Sequence, residues 1–92
     1  MLAPGDTCPN LLVSRLAVNG LARVLPGDPN TIREWPDPDA DRMGTIPSTE
    51  VFEVLAGPIC GYDLAWWQVH FGDLIGWTAE GRGDLYWLEP LP

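Results

Sequence analysis

The stretch Trp66-Trp67-Gln68-Val69-His70-Phe71-Gly72-Asp73-Leu74-Ile75-Gly76-Trp77-Thr78 constrains this chain more than any other. Its first half alternates, with Trp67, Val69 and Phe71 on one face and Trp66, Gln68 and His70 on the other, the period of a half-buried strand. Gly72-Asp73 then makes a two-residue turn, because glycine takes a positive φ without penalty and aspartate tolerates it. A second apolar run follows at once. The stretch is therefore a β-hairpin whose Trp67 face builds core and whose Trp66 face points out.

Ninety-two residues support one domain, and a chain this short buries only roughly two-thirds of its unfolded surface. Ten prolines, ten glycines and five tryptophans mean many turns and a core of a few large aromatics. Long helices are not expected, and no apolar run approaches the ~18 residues of a membrane span. The net charge is −8, from five arginines, no lysine and thirteen carboxylates. Such a surface repels nucleic acid, anionic lipid and anionic wall polymers, and it suits a soluble extracellular protein.

Cys8 and Cys60 lie in turn-like contexts, Asp6-Thr7-Cys8-Pro9-Asn10 and Gly57-Pro58-Ile59-Cys60-Gly61. With no Cys-x-x-Cys spacing and no pair of histidines, a metal site is not expected. A disulfide is the preferred reading, worth about 4 kcal/mol in the chain-entropy model for a loop of this size; the alternative is two unrelated thiols in a reducing compartment. Residues 1–20 hold no basic segment followed by an apolar core, so a secreted protein is expected here as a mature form or a domain of a longer precursor.

Taken in order, residues 1–19 form a lead-in tied to the domain through Cys8, and residues 20–92 form the domain. Within the lead-in, Leu11–Leu16 is either a short strand or a turn of helix. Asn19-Gly20 is a turn, Leu21–Leu25 a strand stopped by Pro26-Gly27-Asp28-Pro29-Asn30, and Thr31–Arg33 another strand. Residues 34–43 make the longest irregular region. Gly44–Pro47 and Val51–Ala56 follow as strands, with Phe52 and Val54 on one face. Residues 57–63 form a loop before the hairpin, and Tyr86–Glu89 closes the sheet before Pro90 and Pro92 end it.

The Trp66-Trp67 pair, the turn after Val69-His70-Phe71, and Gly76-Trp77 resemble the central hairpin of SH3-type barrels, more closely that of bacterial SH3 (SH3b) domains. Ala22-Arg23-Val24, Asn30-Thr31-Ile32-Arg33 with Pro36, Gly44-Thr45-Ile46-Pro47, Val51-Phe52-Glu53-Val54-Leu55 and Tyr86-Trp87-Leu88 match in the same order, so the resemblance covers about residues 20 to 90. It implies an all-β, small SH3-like barrel of about five to seven short strands. One or two short helical turns are expected, one of them over Ala79–Asp84. It also implies non-catalytic binding of peptidoglycan peptides, or of a protein partner, in an aromatic groove of an extracellular or cell-surface module. The groove role falls on Trp66 and Tyr86, with Trp35 and Trp77 as flanking walls, and Trp67 and Trp87 as core or lids. Where a proline follows the hairpin aromatic in eukaryotic SH3 domains, Thr78-Ala79 stands here, so Pro-rich ligands are not expected. The alternative function is a structural or self-assembling interaction domain.

Other candidates are weaker. His70 is the only histidine and has no nucleophile or orienting group beside it in sequence, so no catalytic residue and no cofactor is expected. Asp37, Asp39 and Asp41 alternate like the first ligands of a calcium loop, but Arg42 stands where its glycine is needed and Ser48 where its bidentate glutamate belongs. Trp35 beside Pro36 is either a lid or an exposed contact. Arg82-Gly83-Asp84 spells an integrin-type tripeptide, a match too short to carry weight.

Overall fold

The computed structural model describes Cys8 and residues 12–92. The rest of the expected lead-in up to Asn10, and the first residue of the Leu11–Leu16 segment, lie outside the described residues. Residues 12–17 are neither strand nor helix. The rest is eight strands: β1 (Leu21–Val24), β2 (Asn30–Arg33), β3 (Arg42–Ile46), β4 (Val51–Gly61), β5 (Leu64–Phe71), β6 (Leu74–Arg82), β7 (Leu85–Tyr86) and β8 (Leu88–Pro90). They form one antiparallel sheet in the order β3-β2-β6-β5-β4-β1-β8, with β7 paired to β6, and the sheet curls into a half-barrel.

The expected central hairpin is β5–β6. Phe71 pairs with Leu74 across Gly72-Asp73, and Gly72 alone takes the positive φ, 58°. Trp67 and Val69 are buried, and Phe71 packs partly buried against the same core. Phe52 and Val54 share that core, as their spacing predicts, with Ile32, Ile46 and Leu88 from other strands.

Curling comes from extra residues in the ladder. Between Val54↔Val69 and Ala56↔Gln68 one residue of β4 has no partner; between Ala56↔Gln68 and Ile59↔Trp66 two residues of β4, Gly57-Pro58, oppose the single Trp67. Each such bulge sharpens the local twist and bends the strand. The region expected as a loop over 57–63 is therefore strand through Gly61, turning only at Tyr62-Asp63. Gly57, at φ 128°, is required there, because a Cβ would stand 2.9 Å from both Trp66 O and Trp67 Cε3.

No helix occurs among the described residues, so the expected helical turns are absent. Ala79–Asp84 instead continues β6 to Arg82 and turns at Gly83-Asp84, with Arg82 paired to Leu85 and Gly83 at φ 61°. The physical reason is that the charged residues of this segment do not all face water: Glu80 is fully buried. Cys8 and Cys60 are joined in a disulfide, with 5.5 Å between their Cα atoms, tying the lead-in to the β4–β5 hairpin.

Candidate functional site

The curl of the sheet brings together residues that are distant in sequence. Glu80 lies on the Trp67 face of the β5–β6 ladder, two residues beyond Thr78, which pairs with Trp67. Its Oε1 accepts from Ser14 Oγ at 2.7 Å and from Trp67 Nε1 at 2.9 Å, and its Oε2 accepts from the Arg15 backbone N–H at 2.8 Å. A buried carboxylate is tolerated only when its oxygens are met by donors, and here three converge. Residues 12–16 are thereby strapped across the sheet. Arg15 continues the strap: its guanidinium stacks 3.6 Å from the Tyr86 ring centre and donates to Leu88 O at 2.9 Å, while the Tyr86 hydroxyl donates to Val13 O.

Trp87 bridges β6 and the residue that follows β1 through its backbone. Its N–H donates to Glu80 O and its carbonyl accepts from Leu25 N, both at 2.8 Å. On the other side, Asn30 is buried and donates through Nδ2 to Thr78 Oγ1 at 2.7 Å and to Ala79 O at 2.8 Å; Thr78 Oγ1 donates to Thr31 O. Pro26 and Pro29 restrict the loop that ends at Asn30, and Gly27 supplies its positive φ of 132°.

Between these two braced segments lies a cleft of about 570 Å³. Its buried lining is Leu64, Trp66, Ala79 and Asn30; Tyr86 and Trp87 are half-buried in it, and the exposed Pro26, Asp28, Arg82 and Leu85 form its rim. The Trp66 indole N–H donates to Gly61 O at 3.1 Å, so this ring presents apolar surface to the cleft and its one donor to β4. The Trp87 indole N–H has no partner among the described residues. Prolines, aromatic rings and fixed backbone give a preorganised concave surface, which lowers the ordering cost of binding an extended ligand.

The placement of the expected groove residues is mixed. Trp66 and Tyr86 both line the cleft. Trp66 is nevertheless not an outward-facing residue: it is 2% exposed, in a second apolar cluster with Leu64 and Ala79 against which Trp77 and Trp87 pack. The strand is covered on both faces at that end, because Trp77 and Trp87 pack against the Trp66 cluster. Trp35 and Trp77 are not among the lining residues. Trp35 stands 63% exposed on the β2–β3 connection, and Trp77 is half-buried. Trp67 is core, and Trp87 is a lining residue.

Among the remaining candidates, His70 is exposed, its Nδ1 3.8 Å from Glu53 Oε1 across the β4–β5 ladder. Asp37 spends both carboxylate oxygens locally, accepting from the Asp39 N–H at 2.7 Å and the Tyr62 hydroxyl at 3.0 Å. That hydrogen bond, with the charge of Asp37, raises the Tyr62 phenol above its ordinary pKa. No group of three or more His, Cys, Asp or Glu that could hold a metal occurs among the described residues. Arg82, Gly83 and Asp84 are all exposed at the β6–β7 turn.

Glu80, Arg15 and Asn30 are the residues that sequence reading missed. Extending the Trp67–Thr78 face by one period would have found Glu80; nothing local marks Arg15, whose partners Glu80 and Leu88 are 65 and 73 residues away. No protein-family model, no curated protein and no solved structure matches this chain.

Proposed function

We propose that this chain is a non-catalytic binding module of an extracellular or cell-surface protein, taking a peptide of the cell-wall peptidoglycan in the cleft beside Trp66, Tyr86 and Trp87. The observation that carries the reading is that aromatic, proline-walled cleft, braced on one side by Asn30 and on the other by the strap over Tyr86. Aromatic walls hold an extended peptide by area burial at small entropic cost. The resemblance to bacterial SH3 domains points to the same ligand class, and the Cys8–Cys60 disulfide fits an oxidising compartment. The barrel alone does not dictate function, so the cleft and not the fold is the argument.

The test is sedimentation of the oxidised protein with purified peptidoglycan sacculi. Leu85 is 62% exposed on the rim and Ile75 is 49% exposed outside the cleft lining. Wild-type protein and Ile75→Asp should sediment with the sacculi, and Leu85→Asp should stay in solution. Equal binding by all three, or by none, overturns the proposal.

A second reading, a protein-interaction or self-assembling domain, draws on Trp35 and Tyr62. Both are at least 60% exposed, and the Tyr62–Asp37 bond joins the loops that carry them. A size in solution that grows with concentration and falls back in Trp35→Ser would favour it.

A further inference from the structure

The cleft differs from the rest of the molecule in charge. The chain carries thirteen carboxylates against five arginines, yet the cleft is lined by two arginines, Arg33 and Arg82, and by one carboxylate, Asp28. Of the three arginines outside the cleft, Arg23 is paired with Glu89, Arg15 is spent on Tyr86 and Leu88 O, and Arg42 is exposed on β3, away from the cleft, with no ion pair or hydrogen bond of its side chain among the described residues. Arg33 donates to Ala40 O at 3.1 Å. Of the two arginines that line the cleft, Arg82 is the one left to a ligand: it is exposed on the rim at the end of β6, with no ion pair or hydrogen bond of its side chain among the described residues.

From this we infer that the cleft recognises a carboxylate on its peptide ligand, and that Arg82 is the residue that receives it, with Arg33 adding positive charge behind. The inference rests on the peptide-binding reading and names the group that reading leaves open. A guanidinium is a rigid fork that fits a carboxylate with two parallel hydrogen bonds, and it gives specificity that flat aromatic rings lack. The chemistry also sets a limit. A chain of net charge −8 repels a polyanion as a whole, so a local pair of arginines suits isolated carboxylates on a short peptide and not a phosphate polymer. The aromatic lining then takes the ligand's apolar length, and the unpartnered Trp87 N–H offers a donor to one of its carbonyls.

The experiment uses soluble muropeptides released from sacculi by a muramidase, and the same mixture after its carboxyls have been converted to primary amides. Each is titrated calorimetrically into oxidised wild-type protein, Arg82→Gln and Arg82→Lys, with melting curves confirming that the variants fold. Wild-type protein should bind the native mixture and lose about tenfold or more in affinity on amidation, the scale of one hydrogen-bonded charge pair. Arg82→Gln should lose a similar factor and become indifferent to amidation, with Arg82→Lys between them because it keeps the charge without the fork. If wild-type protein binds the amidated mixture as tightly as the native one, carboxylate recognition is wrong while peptide binding stands. If amidation weakens binding but Arg82→Gln does not, the assignment to Arg82 is wrong. Binding of neither mixture overturns both readings.

Discussion

Replacing Glu80 with glutamine tests the strap without changing its shape. Glu80 Oε1 serves two donors, Ser14 Oγ and Trp67 Nε1, and Oε2 serves one, the Arg15 N–H. Glutamine has one oxygen and one NH₂ group. Its better orientation keeps the oxygen where Oε1 was and turns NH₂ toward the Arg15 N–H, so that donor meets donor. The reverse orientation strands the Trp67 indole N–H instead and forces the Ser14 hydroxyl to turn from donor to acceptor. The variant thus loses one hydrogen bond to a carboxylate and leaves a backbone N–H unpaired, a loss of about 1.5–3 kcal/mol. In a domain of this size that lowers the melting temperature by roughly 6–20 °C. Urea unfolding of the oxidised proteins, followed by tryptophan fluorescence, measures it, and amide exchange at Arg15 localises it. A Glu80→Gln protein within about 0.5 kcal/mol of wild type, the range of neutral surface substitutions, would refute the claim that the buried carboxylate holds the strap.

Three further outcomes are expected. Reducing the Cys8–Cys60 bond, which spans 52 residues of sequence, should lower stability by about 4 kcal/mol, and superimposable urea curves for oxidised and reduced protein would contradict this. Gly81→Ala places a methyl inside contact distance of Leu85 O and 2.6 Å from Leu12 Cδ2. Because the first of these is backbone in the β6–β7 pairing, the loss should be about 1–3 kcal/mol, read by thermal melting. Asp37→Asn removes the charge that, with the hydrogen bond, holds the Tyr62 phenol protonated, so the pH of phenolate formation should fall toward the ordinary tyrosine value; a spectrophotometric titration identical to wild type would rule this out.

How far the fold could be read depended on whether the signal was local. Gly72-Asp73 and Gly83-Asp84 are the same dipeptide in the same kind of two-residue turn. The first was legible because alternating apolar residues flank it. The second was not, since Glu80-Gly81-Arg82 looks polar until its pairing with β5 is known. Gly57-Pro58 looked like a chain breaker and is a bulge inside β4, a distinction fixed only by the partner strand. Trp66 was assigned its strand face correctly and its exposure wrongly, because the residues packed against its cluster include Trp87, which is distant in sequence. The disulfide pairing was legible by count alone, whereas the cleft depends on segments that no spacing rule connects.

Among the described residues the main strand path of the open half-barrel ends at β3 and β8, each with one free side, and the two-residue β7 off that path also pairs on one side only. Such edges can template the addition of a further strand, and with it fibril growth. Here β8 is three residues long and ends in Pro90, which has no N–H to offer. β3 is interrupted between Gly44 and Arg42, where Met43 has no partner in the ladder, and it opens with an exposed arginine. Neither edge presents a long, flat row of unpaired backbone groups. The molecule can therefore remain unclosed, and keep a cleft accessible, without inviting ladder-by-ladder polymerisation at high local concentration.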